Sequence, residues 1–325
     1  MRAVHLTAFG NPVNGLEFVD IPEPDAPGAN QVLTGVEFSP INPNDLMVAK
    51  GIYAIRPALP AVIGNEGVGR VLAVGSGVEN VKVGDRVLVP PSSFAWRERL
   101  VTSADDLFAL PPDADPQQLA MLGINPPTAS LLLSEFVDLK SGDWVVQNAA
   151  NSGVGRWVIA LAKVRGLRTV NIVRRPELVG ELESIGGDVV VVDSPDVSGR
   201  IKEAVDQTDL RLALDGVSGP ATGVLASILS PGGTLVSFAA MSEAPISMSP
   251  LDVIFKPITM RGFFMGHPEY AAKIPPAIKQ AAAMIASGQV HVPVSATYPL
   301  SSIKEAVAHA LRGGKVLLDV AGSST

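Results

Sequence analysis

The stretch Trp144-Val-Val-Gln-Asn-Ala-Ala-Asn-Ser-Gly-Val-Gly155 constrains this chain more than any other. It opens as a short apolar strand, passes through a turn of small residues and enters a segment with helical spacing, Val154–Arg165. Small residues let the backbone approach a pyrophosphate, and the helix N-terminus offers free N–H groups and the positive end of its dipole. The turn departs from G-x-G-x-x-G: Ala149 and Ser152 hold the first two glycine positions, Gly155 the third, and Gly153 is an added glycine. The competing reading is an ordinary helix N-cap at Asn151 or Ser152. The pattern C-terminal to the turn favours the dinucleotide reading. Strands at Arg168–Val173, Val189–Val192, Leu210–Leu214, Thr234–Phe238 and Ile258–Gly262 alternate with helices at Glu177–Ile185, Gly199–Val205 and Ala221–Leu229. Repeated βα units of this kind predict a parallel, doubly wound sheet of Rossmann type.

Before Pro111 the texture differs. Short β-type runs, Gln31–Phe38, Gly67–Val74 and Asp85–Val89, alternate with turn residues and predict a compact antiparallel unit. The prolines at 27, 40, 43, 57, 60, 90 and 91 argue against helix there. Pro116–Leu133 reads as helices interrupted at Pro126–Pro127. After Gly262 come helices at Ile274–Ser287 and Ser302–Leu311, then a strand, Lys315–Val320, placed to return to the N-terminal unit. With 325 residues, the chain exceeds the roughly 250–300 at which single cores stop growing, so two domains are expected. A net charge of −7 and the lack of a basic run argue against nucleic-acid binding. No apolar run reaches the roughly 18–20 residues of a membrane span. The N-terminus has no signal-peptide pattern, which makes a cytoplasmic enzyme the expectation.

The second strand of the alternating region ends in Arg174-Arg175. An NAD-preferring fold usually places Asp or Glu here, to bond the ribose 2′-hydroxyl. Two guanidinium groups instead match a 2′-phosphate in charge and hydrogen-bond geometry, so NADPH is the expected cofactor. The alternative is a solvated basic surface loop.

These motifs, with Gly64-Asn-Glu-Gly-Val-Gly69 and Val83-Gly-Asp-Arg-Val87, resemble the medium-chain dehydrogenase/reductase superfamily over nearly the whole chain. The nearest resemblance is to its zinc-independent quinone reductases and trans-2-enoyl thioester reductases. It is carried by Ile41-Asn-Pro-Asn-Asp45 with Gly51-Ile-Tyr53, by Leu59-Pro-Ala-Val-Ile-Gly-Asn-Glu-Gly67, by Leu122-Gly-Ile-Asn-Pro-Pro-Thr-Ala129, and by the turn itself. The resemblance implies an α/β chain in which a Rossmann doubly wound parallel sheet (116–264) is inserted into a GroES-like β-rich catalytic domain (1–115 plus 265–325). It also suggests a homodimer joined through the Rossmann edge strand, with Thr259–Gly262 as the candidate. Zinc dehydrogenases of the superfamily use Cys and a His in a G-H-E segment. This chain has no Cys, and Asn65 stands at the His position. His5, His267, His291 and His309 show no metal-ligand spacing, so no metal is expected.

Without a metal to polarise an alcohol, reduction of an activated double bond is the chemistry left open. Hydride arriving at the β-carbon of an enoyl group makes an enolate, which needs a hydrogen-bond donor, while the α-carbon needs a proton. Tyr53 matches the tyrosine that does this in the enoyl reductases, and a phenol of ordinary pKa about 10 is a competent donor. The plain alternative is a packing tyrosine. The resemblance assigns cofactor contacts to Asn42, Asn148, Asn151, Ser152, Gly153, Val154, Gly155, Arg174, Arg175, Phe238, Ala240, Met241, Phe263, Phe264 and Lys315. It assigns Asn65, Phe264 and Met265 to the substrate pocket. For Asn42 and Asn65 turn chemistry competes with a site role. A tryptophan is frequent in the enoyl reductases where Phe264 stands, a departure that bears on long-chain substrates. The expected substrates are an enoyl thioester, or else a quinone, an enone or a small acrylate. The reading from another class is a non-catalytic NADPH-binding sensor or structural protein. An acyl carrier protein as partner requires a basic patch, for which Arg56, Arg97 and Arg99 are the candidates.

Overall fold

The structure, a computed structural model, describes every residue except Ser92, Gln207 and Thr325. Two compact units form, one of Met1–Ile124 with Ile278–Thr325, the other of Asn125–Ala277. The first contains β1 (Arg2–Leu6), β2 (Leu16–Asp20), β3 (Gln31–Ile41), α1 (Pro43–Lys50), β4 (Ala61–Val62), β5 (Gly67–Val74), β6 (Arg86–Val89), β7 (Arg99–Ser103) and α2 (Pro116–Leu119). The proline argument against helix fails at α1. Pro43 occupies the first helical turn, where its missing N–H has no intrahelical acceptor to lose.

The second unit begins with α3 (Asn125–Leu132), which has Pro126 and Pro127 in its first turn rather than at a break. Then come β8 (Trp144–Gln147), α4 (Gly153–Val164), β9 (Arg168–Val173), α5 (Leu178–Ser184), β10 (Val189–Val192), α6 (Val197–Ala204), β11 (Leu210–Asp215), α7 (Pro220–Ile228), β12 (Thr234–Ser237), α8 (Pro250–Ile254) and β13 (Thr259–Gly262). Every pairing is parallel, in the order β10-β9-β8-β11-β12-β13. Counted from β8 this is 3-2-1-4-5-6, the dinucleotide-binding order, whose topological switch lies between β8 and β11. β13 closes the sheet on one side, and all four of its residues are exposed.

The boundary between the units falls within α9 (Ile274–Ala286). After it come β14 (Ala296–Pro299), α10 (Ile303–Arg312) and β15 (Val316–Asp319). β15 runs antiparallel to β3, Val316 against Ile41 and Asp319 against Phe38, so the tail does return to the first unit. The order there is β14-β15-β3-β5-β6, with β7 also on β3, beside a small sheet β2-β1-β4. Trp96, Ile63, Leu100 and Leu318 are among its core residues. Side-chain bonds explain why the division falls at 124/125 and 277/278 rather than at the expected 115/116 and 264/265. Gln118 exchanges hydrogen bonds with the backbone of Val292, and the Gly123 and Ile124 N–H groups donate to Glu66. Tyr270 packs on Phe263 and Lys273 pairs with Glu135, which holds 265–277 in the second unit. Among the described residues no helix is long and apolar enough to cross a membrane.

Candidate active site

The glycine turn sits at the C-terminal end of β8, beside the switch point. Ser152 settles the choice of cap: its Oγ accepts the Gly155 N–H at 3.1 Å, and α4 begins at the next residue. Ala149, at the first glycine position, carries φ +48°, the left-handed region that costs a residue with a Cβ. Gly155 is required for a different reason: a Cβ there would stand 2.4 Å from the Ala150 carbonyl oxygen. Asn148 ties the ends of two strands together. Its Nδ2 donates to Asp215 at 2.7 Å and its Oδ1 accepts the Gly216 N–H at 2.7 Å. Asp215, fully buried, also accepts from the Val217 and Ser218 N–H groups and from Thr222 Oγ1. Asn125, unassigned from the sequence, is 7% exposed, and its Nδ2 has no hydrogen-bond partner. A Cβ on Gly153 would lie 2.6 Å from that nitrogen. An open buried donor against the N-terminus of α4 fits the phosphate-bearing part of a dinucleotide, since such a donor is costly to leave unpaired.

Arg174 and Arg175 follow β9 directly and are exposed. Arg175 has one ion pair, at 3.5 Å to exposed Glu177, a type of contact that contributes little and leaves the guanidinium open to a ligand. Asn151 and Val154 lie in the turn and the first turn of α4. The Phe238 ring lies against Gly216, while Ala240 and Met241 are exposed just beyond. Phe263 is 9% exposed between Phe136 and Tyr270, so its ring belongs to the core. Phe264 is half-buried with its ring edge against His267, and Met265 Sδ accepts from Thr128 Oγ1 at 3.8 Å.

In the first unit α1 ends at Gly51 in the left-handed conformation (φ +76°), and Tyr53 follows two residues later, packed against the core. Tyr53 and Asn65 line a small, largely apolar pocket of about 30 Å³, partly open to solvent, with Val48, Ile55, Ile63 and Phe94. Gly64 leaves room beside it; a Cβ there would lie 2.3 Å from the Trp96 ring. Burial pushes the Tyr53 phenol above its ordinary value, further from ionisation at neutral pH, against a smaller opposing effect of a hydrogen bond with Asn44.

Behind this pocket lies a buried polar network that sequence reading missed. Asp45 accepts from the Asn42 N–H and from both the backbone and the side chain of Asn65. Asn42 Nδ2 donates to Glu66 Oε1, and Asn42 Oδ1 accepts from Lys315 Nζ, each at 2.7 Å. Asn42 and Lys315, assigned to the cofactor from the sequence, thus spend these groups on each other and on Glu66. Burial pushes Asp45 up to about 6 and Glu66 up to about 7, and lowers Lys315. The raised carboxylates favour folding fully below their unfolded pKa near 4, and that contribution is lost as pH rises through about 6 to 7. Lys315, lowered, has the opposite sign, its contribution being lost as pH falls through its folded value. Thermal stability is therefore expected to fall between about pH 4 and pH 7, with Glu66 contributing on the order of 3 kcal/mol. Melting temperatures across that range check this. The slope, not the level, should flatten in Glu66→Gln, and an unchanged slope excludes Glu66 as its source.

The three candidate arginines are each engaged locally. Arg56 lies 4.3 Å over the Phe9 ring, Arg97 donates to the Ser93 carbonyl, and Arg99 pairs with Glu23 and Glu98. Among the described residues no three His, Asp or Glu side chains are grouped to hold a metal, and Asn65 is occupied with Asp45.

Residues 28–109 match the alcohol dehydrogenase GroES-like domain, and residues 153–287 match the zinc-binding dehydrogenase model. The mitochondrial enoyl-[acyl-carrier-protein] reductase of Caenorhabditis elegans is 40% identical over 81% of this chain and 77% of its own length. The human enzyme of that name is 35% identical over 94% and 84%. The mitochondrial 2-enoyl thioester reductase Etr1p/Etr2p heterodimer of Candida tropicalis superposes with a TM-score of 0.89 at 27% identity, covering 98% of this chain and 99% of that one. A putative NADPH:quinone reductase from Bacillus thuringiensis superposes with 0.88 at 27%, covering 98% of each. A further similar structure is an Etr1p complex with NADP and crotonyl-CoA, with a TM-score of 0.88 at 26% identity over 98% of this chain and 99% of that one. The chain belongs to the zinc-independent branch of the medium-chain dehydrogenase/reductase superfamily, with the enoyl thioester reductases and quinone reductases.

Proposed function

We propose that the protein reduces the conjugated double bond of a trans-2-enoyl thioester with NADPH. The carrying observation is Tyr53, a phenol protonated at neutral pH, on an apolar pocket beside Asn65. NADPH, when bound, supplies the hydride. The α4 N-terminus with Ser152, Gly153 and Gly155 seats the pyrophosphate, Asn125 closes on it with its open amide, and Arg174 and Arg175 hold the 2′-phosphate. Asn148 and Asp215 fix the strand ends beneath that seat. Tyr53 donates to the enolate oxygen and supplies the proton the product requires. Asp45, through Asn65, orients the pocket wall.

Trans-2-enoyl-CoA and a benzoquinone assayed side by side with NADPH test this. The enoyl thioester should be the faster substrate; turnover of the quinone alone would establish the second reading, which the Bacillus thuringiensis likeness favours. Arg174→Ala with Arg175→Ala should raise the Kd for NADPH at least about tenfold and leave that for NADH nearly unchanged, as loss of charge-assisted bonds to one phosphate requires. Retained selectivity in that variant would make the arginines a surface loop.

We further propose that two protomers pair through β13 to form a homodimer. All four residues of β13 are exposed, as are Ile254 and Phe255 shortly before it in the chain, the latter 75% accessible, and an exposed edge strand and exposed apolar side chains are both templates for association. Light scattering of wild type and Phe255→Glu checks it.

A further inference from the structure

Arg156 stands next to Gly155 on α4 and is only 6% exposed. A buried guanidinium is costly unless its donors are engaged. Its Nε donates to the Asn151 carbonyl, in the phosphate turn, at 3.2 Å. Its terminal nitrogen donates to Glu181 Oε1, on α5, at 2.5 Å. α5 begins three residues after Arg175, so the basic loop has two anchors, the end of β9 and the start of α5. β9 is fixed by its neighbours in the sheet. α5 is fixed by Leu178 and Leu182, which share a core cluster with Ala150 of the turn, and by the Arg156–Glu181 pair.

We propose that Arg156 and Glu181 are positioning residues for the dinucleotide, tying the phosphate turn to the helix that carries the far end of the Arg174–Arg175 loop. The pair sets the distance between the seat of the pyrophosphate and the seat of the 2′-phosphate, and so the preference for NADPH. This rests on the reading that Arg174 and Arg175 hold the 2′-phosphate. NADH shares the pyrophosphate but not the 2′-phosphate, which separates a spacing role from general support of the turn.

The test is the Kd for NADPH and for NADH, by nicotinamide fluorescence, in wild type, Arg156→Gln, Glu181→Gln, the double variant and the Arg174→Ala/Arg175→Ala protein. Each single variant should weaken NADPH at least about fivefold and NADH by less than about twofold, and the double variant should lose no more than either single one, as members of one coupled pair do. Glu181 is partly exposed, so Glu181→Gln keeps the test readable where loss of Arg156 impairs folding. Equal weakening of both cofactors, or none, overturns the proposal while a loss of preference in the Arg174→Ala/Arg175→Ala protein upholds the basic-loop reading. An unchanged preference in that last protein overturns both.

Discussion

Tyr53→Phe is expected to lower turnover of a trans-2-enoyl-CoA at least about tenfold, and by up to about a thousandfold, the span usual for a positioned general acid. The Kd for NADPH should stay within about twofold, because no part of the Rossmann unit changes. The substitution removes one hydroxyl and keeps the ring that packs against the core cluster of the first unit, so the fold should be retained. The rate loss should appear in kcat more than in KM, since the bond to an enolate oxygen strengthens as charge develops there. The raised pKa adds a pH signature: activity should show no alkaline loss from Tyr53 below about pH 10, the ordinary phenol value from which burial moves it upward. Rapid-mixing kinetics with NADPH in excess read both quantities. Undiminished turnover in the variant would return Tyr53 to packing and leave proton donation to another group.

The Rossmann unit was legible because its signals are local. Most strands are short apolar runs and most helices carry an apolar stripe, and apart from α8, which was not expected, the elements from β8 to β13 start or stop within about two residues of the expected ones, the uncertainty usual for helix ends. Ser152 as the second small residue of the turn was also legible, and the structure adds that it caps α4. What escaped was non-local. Nothing in the spacing of Asn42, Asp45, Asn65, Glu66 and Lys315 indicates that a strand from the far end of the chain brings Lys315 within 2.7 Å of Asn42. Asp45 and Glu66 lie inside the family motifs, yet a carboxylate in a turn motif reads as exposed until its donors are known. Asn125 escaped for the same reason, since an open donor is visible only when the surrounding bonds can be counted. β1, β2, β4, β7, β14 and α1 were missed, α1 by treating Pro43 as a breaker rather than a starter.

Gly155→Ala is expected to cost the second unit about 1–3 kcal/mol of stability and to raise the Kd for NADPH at least about tenfold. The reason is steric and backbone-borne. The new Cβ would meet Ala150 O at 2.4 Å and the Ala150 carbonyl carbon and Cα at 2.7 Å, contacts that no rotamer change can relieve. The turn must open instead, which moves the Gly155 N–H off Ser152 Oγ and pulls the carbonyl that Gln147 Nε2 holds at 3.0 Å. The first turn of α4 is the pyrophosphate seat, so a shift that damages its cap also damages the ligand site. Gly180→Ala on α5 separates this from the ordinary consequence of adding a methyl group to a helix. A Cβ at Gly180 meets nothing within 4 Å, and the change should stabilise by up to about 1 kcal/mol through helix propensity alone. Chemical denaturation gives the stabilities and nicotinamide fluorescence the affinities. If Gly155→Ala matched wild type in both, the close approach of α4 to Ala150 would not be a constraint on the turn. A protein weakened for NADPH with unchanged stability would instead place the strain wholly in the bound state.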